Sequence, residues 1–251
     1  MISFSGRTDI GKRRTLNEDA IFTSDSLFVL CDGMGGHKAG EVASQLAIDV
    51  ITAFATRSGE DPEITWPYGF QARLSFNGNR LRTAIKLANR AVFRKATSSD
   101  DYTGMGTTVV ALIVSPGKSQ MTYAHVGDSR IYLVRAGAIH QVTRDDSWVN
   151  LAWEGGEPDD STRTSMKNIL TKALGAREDV EFEIADQELS DGDVVLLCSD
   201  GLTNMVSDPR ILEIVSAHGT DLGEACDALV AASNAAGGRD NISAILVRYS
   251  T

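Results

Sequence analysis

The chain has 251 residues, 42 % of them apolar, and a formal net charge of −10. That length suits one large domain or two small ones with a substantial core, and it excludes a disordered chain. The acidic balance argues against nucleic acid or an anionic membrane surface as the main partner, because both need a basic footprint and no stretch is expected to provide one.

In chain order, residues 1–9 lack the apolar run of a secretion signal, and no stretch nears the roughly 18 apolar residues of a membrane span, so a cytoplasmic protein is expected. Residues 27–31 form a short apolar run. Residues 38–54 set Ala39, Val42, Ala43, Leu46, Ala47, Val50, Ile51 and Phe54 at helical spacing, a one-sided apolar stripe. Residues 57–78, rich in Gly, Pro and polar side chains around Trp66 and Tyr68, read as a loop insertion. A second helix is predicted over about 79–96, followed by strands over 107–114, 121–126 and 131–134. The turns Ser115-Pro116-Gly117 and Arg135-Ala136-Gly137 are short enough for hairpins, so the sheet should be largely antiparallel. An acidic span from 145 to about 175 reads as a flap. A strand over 194–198, a helix over 221–236 and a strand over 242–248 complete an α+β set. Cys31, Cys198 and Cys226 are odd in number, widely spaced and inside apolar runs, as buried thiols of a reducing compartment are.

The acidic residues carry the chemistry. Glu18 and Asp19, Asp32, Asp128, Asp200 and Asp240 each stand beside a turn or strand-end signal, and most close a short apolar run. A fold that gathers them at one sheet rim needs a cation among them, because clustered carboxylates repel. Oxygen-only ligands suit magnesium or manganese rather than zinc. Taken singly, Asp32-Gly33 and Asp200-Gly201 read as turns, and Asp191-Gly192 as a hairpin.

Other catalytic signatures are missing. None of the three cysteines has an arginine six residues on, which excludes a thiol phosphatase. Gly6 to Lys12 satisfies part of a P-loop, but Arg13 stands where the magnesium-binding Ser or Thr belongs. Gly33-Met34-Gly35-Gly36 lacks the last glycine of a dinucleotide fingerprint, and no nucleophile elbow or His-Glu-x-x-His occurs.

What remains is an ordered series: Arg14-Thr15-Leu16-Asn17-Glu18-Asp19, Asp32-Gly33-Met34-Gly35-Gly36-His37, Gly104-Met105-Gly106-Thr107-Thr108, Gly127-Asp128-Ser129-Arg130, Ser199-Asp200-Gly201 and Arg239-Asp240-Asn241. This series resembles the metal-dependent protein serine/threonine phosphatase family, type 2C, in its compact bacterial form of a catalytic domain alone. The resemblance spans about residues 7–248. It implies a four-layer αββα sandwich, two antiparallel sheets flanked by helix pairs, in a single catalytic domain over 1–251. It also implies that Asp32 bridges two magnesium or manganese ions, with Asp200 and Asp240 on the first and Glu18 and the backbone oxygen of Gly33 on the second. Asp19, His37 and Asn241 fall in the surrounding shell, Asp128 with Asp200 holds a third ion, and Arg14 binds the phosphoryl group.

By the same resemblance, water activated by the two ions hydrolyses phosphoserine and phosphothreonine, so the partners expected are phosphorylated proteins, a serine/threonine kinase or its substrates. The chain is expected to be a monomer that opposes a bacterial kinase, with type VI secretion control as one setting. The alternative is a non-catalytic phosphoprotein-binding protein on the same fold. Two departures bear on substrate choice: Met34 replaces the histidine that follows Asp-Gly in animal relatives, and Asp145-Asp146-Ser147 replaces the usual Asp-His-Ser.

Overall fold

The computed structural model describes residues 1–35, 39–61, 63–115, 117–146 and 170–251. Side-chain alternation along the strands decides the architecture. In β3 (Leu27–Met34), Leu27, Val29 and Cys31 enter one hydrophobic cluster while Phe28 and Leu30 enter another. A strand with period-two side chains buried on both faces needs a layer on each side.

Two sheets and three cores satisfy that need. One sheet runs β2 (Asp19–Thr23), β3, β5 (Val109–Val114), β6 (Gln120–Val126) and β9 (Glu183–Glu188), with the short β4 (Gly106–Thr107) paired to β3. The other runs β1 (Ile2–Asp9), β11 (Ile242–Tyr249), β10 (Val194–Cys198), β7 (Arg130–Arg135) and β8 (Ala138–Gln141). All pairings are antiparallel. Phe28, Leu30 and Leu112 meet Ile131, Leu197 and Ile245 between the sheets. β11 follows Asp240 and lies inside its sheet, between the first strand and β10.

Helices α1 (Ala39–Glu60) and α2 (Phe76–Ala96) cover the first sheet. Small residues at the contact, Ala43, Ala47, Ala84 and Ala88, are fully buried and let the backbones approach. The Ser75 side chain caps α2 by accepting from Gly78 N at 3.0 Å. The second sheet is covered by α4 (Asp208–His218) and α5 (Leu222–Ala235), with the one-turn α3 (Asp200–Thr203) at its rim. The result is the expected αββα sandwich.

Several elements differ from the sequence expectation. The first two helices are longer than the stripe suggested, so the connection between them shrinks to 61–75. β1, β2, β9 and α4 were not expected, although Ser207-Asp208-Pro209 is a recognisable helix start with proline in the first turn. Asp32-Gly33 is not a turn, since it continues β3, and Asp200-Gly201 opens α3. Asp191-Gly192 does turn, with Gly192 at φ 81°, but it joins strands of different sheets and is no hairpin. Gly6 lies within β1, which removes the P-loop. No described helix is long and apolar enough to cross a membrane.

Candidate active site

Antiparallel pairing brings strand starts and strand ends to the same rim. Asp19 opens β2 and is the register partner of Asp32 near the end of β3. Asp128 follows β6, Asp200 follows β10, and Asp240 precedes β11, which pairs with β10. The sheets face each other, so carboxyls from both meet at one edge.

Their electrostatics report the meeting. Burial, then repulsion from Asp19, Asp200, Asp128 and Asp240, pushes Asp32 well above the ordinary carboxylate range. Burial likewise raises Asp19 and Asp128 to about 7 and Asp200 to about 6, with Asp200 adding repulsion at the first two and Asp240 at the third. Glu18 is raised by burial while Arg14 pulls it down.

Backbone and hydroxyl groups hold these residues in place. Asp32 N donates to Thr108 Oγ1 at 3.0 Å, and Asp32 O accepts from Thr108 N at 2.8 Å and Thr107 Oγ1 at 2.9 Å. Ser199 Oγ donates to Asp19 Oδ2 at 2.8 Å and itself accepts from Ser243 N at 3.0 Å. Asn241 ties the N-terminal segment to β11: its Oδ1 accepts from Glu18 N at 2.8 Å, and its Nδ2 donates to Ile10 O at 3.0 Å and Leu16 O at 2.9 Å. Two glycines allow the closest approaches. A Cβ on Gly33 would stand 2.1 Å from Gly40 O and 2.7 Å from Glu18 O, and one on Gly201 would stand 1.9 Å from Asn241 O.

The donor set suits hard divalent cations. It is oxygen only, and Glu18 Oε1 and Asp19 Oδ1 are buried without a hydrogen-bond partner among the described residues. The carboxylates are neighbours that do not converge: no three described His, Cys, Asp or Glu side chains are placed to hold one ion. Instead the outer ones turn to protein donors. Arg14 Nη2 donates to Asp240 Oδ2 at 2.7 Å, with Nη1 3.9 Å from Glu18 Oε2, and Asn204 Nδ2 donates to Asp200 Oδ2 at 2.9 Å. The Arg14 side chain is 47 % exposed, so it lines the open side of the rim.

The described ends of the span expected as a flap, Asp145–Asp146 and Thr171–Lys172, are tied to each other and to the strand ends. Asp146 N donates to Gly127 O at 2.9 Å, Thr171 N donates to Asp146 O at 2.8 Å, and Lys172 Nζ lies 2.9 Å from Asp146 Oδ1. Arg130 grips Asp145 through Nε at 2.9 Å and Nη2 at 2.8 Å. Residues 147–169 of that span, and His37, lie outside the described residues. The three cysteines are free and buried, and burial raises all three thiols, Cys226 to about 11 and Cys198 to about 12, which keeps them protonated. The supporting roles of Thr107, Thr108 and Ser199 were not foreseen, although each adjoins an acidic or glycine-rich motif.

A profile of the family described as Protein phosphatase 2C matches residues 8–246. The chain belongs to that family. As a protein phosphatase 2C it is 37 % identical to the serine/threonine phosphatase stp of Listeria monocytogenes, over 96 % of this chain and 93 % of that protein. Its fold is similar to the catalytic domain of the serine/threonine protein phosphatase PstP in complex with two manganese ions, with a TM-score of 0.82, 32 % identity, and coverage of 100 % of this chain and 99 % of that one. It is also similar to PppA of Pseudomonas aeruginosa, described as a key regulatory component of the type VI secretion system, with a TM-score of 0.80, 29 % identity, and coverage of 98 % and 97 %. This protein phosphatase 2C is thus an enzyme of the phosphoprotein phosphatase class.

Proposed function

We propose that this phosphatase dephosphorylates protein phosphoserine and phosphothreonine with two divalent cations, magnesium or manganese, held at the acidic rim. The observation that carries the reading is the burial of Asp32 among four other carboxyls, an arrangement that repels itself unless cations enter it. The manganese-bound relative supports the same choice.

Asp32 would hold both ions, Asp200 and Asp240 the first, Glu18 and the backbone oxygen of Gly33 the second, and Asp128 with Asp200 a third. Asp19, His37 and Asn241 would support them. Two such ions supply an activated water and neutralise charge on the phosphoryl group. The chain does the positioning. Thr107 and Thr108 fix the Asp32 backbone, Asn241 fixes Glu18, and Ser199 orients Asp19. Arg14 has a planar fork of donors on the open side, suited to two phosphoryl oxygens once it leaves Asp240.

The wider reading is a monomeric, single-domain cytoplasmic enzyme over 1–251, with a flap at about 145–175. It acts on a bacterial serine/threonine kinase or its substrates, and the likeness to PppA makes type VI secretion control one setting. The test is hydrolysis of a phosphothreonine peptide with manganese, with chelator, and by Asp32→Asn and Asp240→Asn. Manganese-dependent turnover lost in both variants supports the reading. Turnover that survives chelation overturns the metal mechanism, and tight metal binding without turnover points to a phosphoprotein-binding protein.

A further inference from the structure

β1 ends at Asp9, and the chain turns there toward the rim. Residues 10–17 hold Lys12, Arg13 and Arg14 and no acid, and residues 228–239, the end of α5 and the loop that leads to Asp240, hold Arg239 and no acid. The two segments are bonded together: Lys12 N donates to Gly238 O at 2.8 Å, and that carbonyl belongs to the peptide bond into Arg239. Lys12 and Arg239 are therefore neighbours in space, although they come from opposite ends of the chain.

Their side chains lie over a floor of two glycines. Lys12 Cγ would be 3.2 Å from a Cβ built on Gly238, and Arg239 Cγ 3.8 Å from one on Gly237. With φ of 51° at Gly238 and 135° at Gly237, both positions favour glycine, so the floor stays bare. Lys12, Arg13 and Arg239 are exposed and make no side-chain hydrogen bond or ion pair among the described residues.

The backbone beneath these cations is fixed. Asn241 Nδ2 holds Ile10 O and Leu16 O, and Asp9 Oδ1 accepts from Gly11 N at 2.8 Å and from Asn234 Nδ2 at 3.0 Å. A charge on a fixed backbone loses less freedom on binding than one on a loose loop. The acids around the patch are engaged: Asp9 as above, Asp240 by Arg14, Asp200 by Asn204 and Asp208 by Tyr132. Asp227, the last acid of α5, stands about 12 Å back from Ala235 along the helix and pairs with Arg7.

Place decides what the patch meets. Arg14 stands two residues from Lys12, and Asp240, which it contacts, is next to Arg239. Two residue steps span at most about 7 Å, the length of two residues of an extended peptide. A phosphoryl group held by Arg14 thus has Lys12 and Arg239 within reach of the residues that flank it.

We propose that Lys12 and Arg239, with Arg13 beside them, form a subsite that selects Asp or Glu within about three residues of the phosphosite. The proposal rests on the phosphatase reading and extends it from the phosphoryl group to its neighbours in the substrate. Rim carboxylates do not cancel the patch, because the two divalent cations of that reading neutralise them. The overall charge of −10 favours the opposite choice, so a preference for acidic substrates has to come from local cations.

The measurement is kcat/KM with manganese for three phosphothreonine peptides that carry Glu, Gln or Lys at the second and third positions on each side. Wild type should prefer the Glu peptide to the Gln peptide about tenfold in low salt and lose most of that preference at about 0.5 M salt. In Lys12→Gln/Arg239→Gln the Glu-to-Gln ratio should fall to near one, whereas the exposed Lys118→Gln should keep it. The ratio cancels any change in chemistry common to both peptides. A role of these cations only at the C-terminal end of α5 would lower the melting temperature and leave the ratio alone. Preference for the Gln or Lys peptide in wild type, or a ratio that survives in the double variant, overturns the subsite.

Anisotropy with the same peptides, labelled, needs no turnover. If wild type hydrolyses neither these peptides nor p-nitrophenyl phosphate, the phosphatase reading fails by itself. The subsite then stands if binding keeps the order Glu over Gln and loses it in the double variant, and falls otherwise. Tighter binding of a DNA oligonucleotide than of the Glu peptide also overturns it.

Discussion

Asp19 and Asp32 stand directly opposite one another across the β2–β3 pair, two carboxyls on register partners at a buried rim. Like charges so placed cost stability, and the cost follows pH. Asp19 and Asp128 rise from 3.8 to about 7 and Asp200 to about 6 on folding, so the folded state binds their protons more tightly. Their stabilising contribution is complete below the unfolded value and is lost as pH rises through 6 to 7. In chelator, the melting temperature should therefore fall between about pH 5 and pH 7.5, and manganese should flatten that fall. Circular dichroism melts across this range decide it, and a rising profile in chelator contradicts it.

Replacing Asp32 by asparagine removes the charge that its neighbours oppose most. In chelator the variant should be more stable by about 1 kcal/mol, a rise of roughly 2–4 °C in melting temperature. With manganese it should lose at least about a thousandfold in turnover. Stability and activity thus move in opposite directions, which a general folding defect cannot produce.

Asn241→Ala breaks three hydrogen bonds, to Glu18 N, Ile10 O and Leu16 O. At about 1 kcal/mol each, the loss should be roughly 2–4 kcal/mol, read by urea denaturation. Asn241→Asp, which keeps the acceptor and loses both donors, should fall between the variant and wild type only at low pH.

Arg14 now shares Asp240 with any cation that needs it. Arg14→Ala should tighten manganese binding in calorimetry while raising KM for a phosphopeptide by about tenfold or more. Arg14→Lys should not rescue KM, because a point charge cannot replace the fork. Weaker manganese binding in Arg14→Ala would show that the pair organises the site rather than competing for it.

Gly201→Ala would drive a methyl group to 1.9 Å from Asn241 O. Backbone must shift at the start of α3, so the variant should lose about 3 kcal/mol or more and its manganese affinity together.

The sandwich and most of the rim were legible because the signals are periodic or repeated. The stripe along α1 and the apolar runs of β5, β6, β10 and β11 declare their burial directly. Edge strands did not: β1 and β9 mix exposed polar residues with half-buried ones, so no clean alternation survives. Asp32-Gly33 and Asp200-Gly201 read as turns only when each is taken alone, because Asp-Gly is a local signal, whereas their glycines answer to distant backbone at Gly40 and Asn241. Contrary to the expectation that no stretch is basic, residues 64–99 hold seven Lys or Arg and no Asp or Glu, a local surplus averaged away in the net charge of −10.

The place of β11, last in sequence yet between β1 and β10, has a consequence for synthesis. Glu18 and Asp32 emerge from the ribosome early, but Asp200, Asp240 and Asn241 join them only after some two hundred further residues. An unfinished chain holds half a rim and an unfilled slot beside its first strand. On the two-cation reading the rim is therefore complete only when β11 seats between β1 and β10, and a chain clipped before it carries Glu18 and Asp32 without Asp240 and Asn241.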